Sequence, residues 1–298
     1  MAGACVLTGC GHDQGQSPER RIQTGWQRYT QGDFDLAVIE FEGAFSSVPT
    51  NSPLRLQALY GLATTWNLRR PDESPERAAT LYREIIAAAP TNDLAAWSWL
   101  ALARMNVTES AADDPDPQAL RQAYQEVIDR FPAHPAAEEA FLFQQAARLA
   151  APNMTEAGAV LQALEGSLAR HPQSPYRSAA YRLVAQCCDV LGLKDKLLDA
   201  TIQEWKTSEI DPRNPIQDLS WTYWRIATVA ELDVGDFALA REYYRKLIAE
   251  YPSEQRVFLA KQELQRMDEL EAGLRNQEAV VSGRGESQDG KRGASEGR

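Results

Sequence analysis

Six prolines set the period of this chain. Pro49, Pro90, Pro132, Pro172, Pro212 and Pro252 follow one another at steps of 41, 42, 40, 40 and 40 residues. Eight positions before each proline stand Phe41, Tyr82, Tyr124, Leu164, Glu204 and Tyr244, and twelve before stand Ala37, Ala78, Leu120, Val160, Ala200 and Ala240. Residues four apart lie one turn along the same helix face. A small residue there lets a second helix approach, and the large one a turn later fills the contact. Self-similarity at such a period marks an array whose units bury their apolar faces by stacking on one another.

The fullest copies are the first and the last. Gly32-Asp33-Phe34 leads to Ala37, Phe41, Ala44 and Pro49, and Gly235-Asp236-Phe237 leads to Ala240, Tyr244, Leu247 and Pro252. This resembles the second half of a tetratricopeptide repeat. The first-helix pattern of that family, Trp-x-x-Leu-Gly-x-x-Tyr, is met in part by Trp97, Leu100 and Ala101 and by Trp224, Ala227 and Thr228, while Gly25 and Gly61 hold its small position elsewhere. The likeness runs from Arg20 to Asn276 and departs at Ser167, Glu204 and Thr207. The steps exceed the usual family period of about 34 residues. The resemblance implies an all-α, right-handed superhelical solenoid of about six hairpins. Val257, Leu259, Leu264, Met267, Leu270 and Leu274 then mark an amphipathic capping helix within Ser253 to Arg275.

Turn chemistry places the surplus residues. Ser74-Pro75, Asp116-Pro117 and Ser174-Pro175 each offer a side-chain cap followed by a proline suited to the first helical position, and Thr155 before Glu156 can cap in the same way. Arg70 to Ser74 and Asn106 to Asp116 therefore read as lengthened turns. In the family register Trp97 and Trp224 fall on core positions, whereas Trp26, Tyr29, Met105 and Arg225 face the concave groove as candidate partner contacts. The clamp by which some family members hold a partner's terminal carboxylate is not expected, because Ile22 and Trp26 stand where its Lys and Asn would be.

Composition excludes more than it assigns. A net charge of -11 repels a phosphate backbone, so nucleic acid is a poor partner. His12, His134 and His171 are scattered, and Glu138-Glu139 and Asp113-Asp114 are the adjacency expected of 42 acidic residues on solvated faces. No metal, cofactor or catalytic constellation is predicted. Cys187 and Cys188 are neighbours in a helical pattern and read as packing.

The ends divide from the repeats. Leu7-Thr8-Gly9-Cys10 resembles the lipobox of bacterial lipoproteins, which implies lipid attachment at Cys10, although the first basic residue is Arg20. The expected organisation is residues 1–10 as a signal remnant, 11–19 as a polar tether, 20–277 as the repeat domain and 278–298 as a disordered tail poor in apolar residues. The function expected is a lipid-anchored scaffold of the bacterial envelope that binds a protein partner along the groove. A soluble cytoplasmic adaptor, and an accessory subunit of an envelope enzyme, are the alternatives.

Overall fold

The computed structural model describes residues 16–67, 74–108, 117–149, 154–208 and 219–289. Cys10, Cys5 and Pro212 lie outside them. Thirteen α-helices are described, with no strand among the described residues. The chain divides into two compact units, Met1–Arg148 and Leu149–Arg298.

The first unit holds α1 (Pro18–Gln31), α2 (Phe34–Ser47), α3 (Pro53–Trp66), α4 (Pro75–Ala88), α5 (Asp93–Thr108), α6 (Pro117–Arg130) and α7 (Pro135–Arg148). Proline at the first or second position fits α1, α3 and α4, whose Ser17, Ser52 and Ser74 hydroxyls accept from the exposed helix-start amides. Gly32 ends α1 at φ 84°, and its amide donates back to the Arg28 and Tyr29 carbonyls. Each helix packs on the next in sequence, and α1 touches α3, α3 touches α5, and α5 touches α7. Odd-numbered helices thus form one layer and even-numbered helices the other.

Phe41 shows why the spacing holds. It is fully buried between α1 and α3, and a β-carbon at Gly25 or Gly61 would come within 2.6 Å or 2.4 Å of its ring. The two glycines are the space the ring occupies. Ala37, Ala44, Ala58 and Ala78 are likewise fully buried, and Tyr82 repeats the Phe41 position one unit on. A further cluster gathers Ala96, Leu100, Tyr124, Val127 and Ala140.

The second unit holds α8 (Met154–Arg170), α9 (Arg177–Val190), α10 (Lys194–Thr207), α11 (Ser220–Thr228), a π-helical turn (Val229–Val234), α12 (Phe237–Glu250) and α13 (Arg256–Asp289). Gly235 ends the π turn at φ 80°, and Asp236 caps α12 by accepting from the Leu239 amide at 3.0 Å. The α13 helix packs on α12 and α11. Arg241 fixes it from α12 through Glu271 at 2.7 Å and Asp268 at 3.1 Å. Where the repeat pattern departs, the polar residue finds a partner: Glu204 takes Arg182 at 2.8 Å and Arg225 at 3.6 Å. Cys187 and Cys188 form no disulfide and are fully buried in the core.

Several boundaries differ from the sequence expectation. The α1 helix starts at Pro18, inside the proposed tether, because Ser17 and Pro18 form a complete helix start. Helix α5 runs through Asn106 to Thr108, since nothing there breaks a helix. Thr155 lies within α8, which begins at Met154. Ser174 accepts from the Tyr176 amide at 2.9 Å as a turn, so α9 starts only at Arg177 and Pro175 precedes it. Helical backbone continues in α13 to Asp289, past the boundary at 277/278, where Glu278 and Ala279 are good helix formers and no proline intervenes.

Candidate partner-binding hollow

The odd-numbered layer of the first unit carries a hollow of about 480 Å³. Tyr29 comes from the last turn of α1, Tyr60 and Thr64 from α3, and Trp97, Ala101 and Arg104 from α5. Asn67 and Tyr82 close one side, and Leu100 and Met105 also line it. The volume lies within the range of about 300–1,000 Å³ typical of binding cavities.

Helical spacing brings these groups together. Tyr60 and Thr64 stand one turn apart, as do Trp97 and Ala101, so each helix offers a continuous strip to the hollow. Trp26 lies behind the strip, with its ring 5.6 Å from Tyr29, 5.2 Å from Phe41 and 6.3 Å from Tyr60. Tyr60 in turn meets Tyr82 at 5.9 Å. The rings are braced by the core, so their positions do not depend on a ligand.

The polar groups form a short network. The Tyr82 hydroxyl donates to Thr64 Oγ1 at 3.3 Å, and the Asn67 side chain approaches the same phenol. Burial pushes the Tyr60 and Tyr82 phenols above their ordinary range, which keeps both protonated as neutral hydrogen-bonding groups. Arg104 is exposed at the rim, yet Glu139 of α7 holds it at 3.1 Å and its guanidinium lies 4.8 Å over the Phe143 ring. The charge at the rim is therefore compensated.

The four groove residues expected from sequence are placed differently from one another. Tyr29 lines the hollow, Trp26 backs it, and Met105 lies at its base with 2% exposure. Arg225 belongs to the second unit, where it pairs with Glu204. Trp97, expected in the core, is half-buried with one side on the hollow and its ring 5.4 Å from His134. Trp224 is also half-buried, at 5.5 Å from Tyr244. Tyr60, Thr64 and Arg104 were not singled out by sequence reasoning, although Tyr60 directly precedes the small-position Gly61 and could have been found from it.

A second hollow of about 540 Å³ lies among α4, α5 and α6, with Trp99, Leu102 and Glu126 among its walls. Among the described residues no group of His, Cys, Asp and Glu could hold a metal ion, and no helix is long and apolar enough to cross a membrane.

Comparison with known proteins agrees with this geometry. The tetratricopeptide repeat family matches residues 221–253. No curated protein matches the sequence significantly. Among solved structures the chain is similar to PilW, a widely conserved type IV pilus biogenesis factor, at 16% identity and a TM-score of 0.55, covering 82% of this chain and 98% of PilW. It is similar to PilF of Pseudomonas aeruginosa at 16% identity and 0.53, covering 84% of this chain and 97% of that one. The Cut9–Hcn1 assembly of the APC/C gives 15% identity and 0.53, with 84% of this chain and 42% of the matched chain covered. The described hairpins have the tetratricopeptide repeat fold, and residues 221–253 carry the sequence of that repeat.

Proposed function

We propose that this protein is a binding scaffold of the bacterial cell envelope, held at a membrane by a lipid on Cys10, which receives a segment of a protein partner in the hollow of its odd-numbered layer. The observation that carries this reading is the hollow itself. Three helices present braced aromatic side chains around space large enough for a peptide segment. Repeat stacks commonly use such faces for binding, because adjacent units align equivalent positions into an extended surface. The scaffold is assigned no catalytic role. The Leu7-Thr8-Gly9-Cys10 sequence supports the anchor, and the fold likeness to PilW, a type IV pilus biogenesis factor, is compatible with an envelope setting.

Affinity capture from a membrane fraction tests both parts. Ala101→Trp, which fills the hollow, is expected to lose a partner that the unaltered chain retains, with helicity by circular dichroism unchanged. Cys10→Ala is expected to move the protein from the membrane to the soluble fraction without loss of that partner. Identical partners for Ala101→Trp and the unaltered chain contradict the binding site, and identical fractionation of the Cys10 variant contradicts the anchor.

A further inference from the structure

We infer that the hollow among α4, α5 and α6 is a second docking site, which takes an acidic side chain of a protein partner together with its apolar neighbours. It is separate from the hollow of the odd-numbered layer and does not depend on the role proposed there. Register shows why the space exists. Between α2 and α4 the equivalent place is closed: Glu42 accepts from Arg77 at 3.2 Å, and the Arg77 guanidinium lies 4.0 Å over the Trp66 ring. Moved along by the proline steps of 41 and 42 residues, Glu42 becomes Arg83 on α4 and Arg77 becomes Ala119 on α6. A cation replaces the acid and a methyl group replaces the cation, so the closing ion pair cannot form. Arg83 and Ala119 both line the space of about 540 Å³ left between their helices.

Charge and surface together select the occupant. Ile86, Trp99 and Leu102 offer apolar surface, which favours apolar side chains over water. Arg83 is exposed on the α4 wall, and no described residue pairs with its guanidinium. Glu126, on the α6 wall, is approached by Arg130 at 4.0 Å, and the same guanidinium lies 4.5 Å over the Trp99 ring. These three groups leave one positive charge in excess. Open to solvent, Arg83 is hydrated; side chains that fill the hollow strip that water away, and a desolvated guanidinium needs a counter-charge. A glutamate or aspartate of the partner meets it with two parallel hydrogen bonds, whereas an uncharged or basic residue leaves it unmatched. Ile39 of α2 is not among these walls.

Titration of the full chain with capped Ala-Leu-X-Leu-Ala peptides tests the inference, with X as Glu, Gln or Lys and the Trp99 indole signal in nuclear magnetic resonance spectra as reporter. The Glu peptide is expected to shift that signal and to bind about tenfold more tightly than the Gln and Lys peptides. Arg83→Glu is expected to reverse the order, so that the Lys peptide binds best. Ala119→Arg added to Arg83→Glu rebuilds the pairing of Glu42 with Arg77; it is expected to weaken every peptide about tenfold, with helicity by circular dichroism unchanged. Equal affinity across the series, an order that survives Arg83→Glu, or no shift of Trp99 with any peptide overturns the site. Acetate or inorganic phosphate that shifts Trp99 as strongly as the Glu peptide at equal concentration shows a free-anion site and overturns the protein segment. The capture comparison with Ala101→Trp reads the other hollow, so the role proposed there stands or falls separately.

Discussion

The first and last copies of the repeat put the same positions to different use. In the first copy Phe41 fills the gap left by Gly25 and Gly61, and the contact is wholly apolar. In the last copy the equivalent residue is Tyr244, also fully buried, whose hydroxyl donates to Glu231 at 2.9 Å. Glu231 is itself buried in the π-helical turn and accepts from Arg266 of α13. One added oxygen thus requires an acid, the acid requires a cation, and the cation comes from the terminal helix. At this position the last repeat is tied to its next helix, α13, through a buried polar network, whereas the first meets its next helix, α3, through apolar packing.

The aromatic residues of the two units differ in a parallel manner. In the second unit Trp205, Tyr223 and Tyr243 lie 5.9 to 6.0 Å from one another, with Lys246 4.5 Å over Tyr243, so the rings satisfy each other. In the first unit Tyr29, Tyr60 and Trp97 are braced from behind and leave space in front. A count of aromatic residues does not separate these cases. What separates them is whether a ring's free face meets another ring of the same chain.

The largest effect expected is from Phe41→Ala. It empties the contact between α1 and α3, and urea denaturation should show a loss of about 3–5 kcal/mol. Glu231→Ala should cost about 1–3 kcal/mol by leaving the Tyr244 hydroxyl buried without its acceptor. The double variant Glu231→Ala with Tyr244→Phe should recover part of that loss, because both polar partners are then gone; no recovery would break the proposed dependence of one on the other. Gly61→Ala, which forces a methyl against the Phe41 ring, should cost about 1–3 kcal/mol and be relieved in the Phe41→Leu background.

The smallest effect is in alkaline solution. Burial, joined by the hydrogen bond to Glu231, pushes the Tyr244 phenol well above its ordinary value of 10.0. The unfolded chain therefore releases this proton at lower pH than the folded one, so the contribution is fully present below pH 10 and declines as pH rises above it. Tyr244→Phe should flatten the fall in stability above pH 10, whereas Phe41→Leu should leave the slope unchanged. Equal slopes for Tyr244→Phe and the unaltered chain would remove the electrostatic half of the comparison.

Much of the fold was legible because its determinants are local and periodic. The alanine-to-aromatic spacing identified Ala37, Phe41 and Ala44, all of which are fully buried, and Ser74 with Pro75 correctly marked the start of α4. The caps that failed did so for competing local reasons: the Ser174 hydroxyl closes a turn instead, and α8 begins ahead of Thr155. The π-helical turn had no sequence signal of its own, and the meeting of its Glu231 with Tyr244 and Arg266 joins three elements that no local pattern links. The hollow was half legible. Tyr29 followed from register, but Tyr60 and Trp97 have equally good core readings until the neighbouring helix shows which side of each ring is covered.

Site-specific photocrosslinking tests the binding face most directly. A benzophenone side chain would be placed at Ala101 in the hollow, or at Ile39, which is 58% exposed on the even-numbered layer, and irradiated in a membrane fraction. The predicted result is a discrete covalent adduct from position 101 and none from position 39. An adduct from position 39 alone, or equal adducts from both, would contradict the assignment of the odd-numbered layer as the binding face.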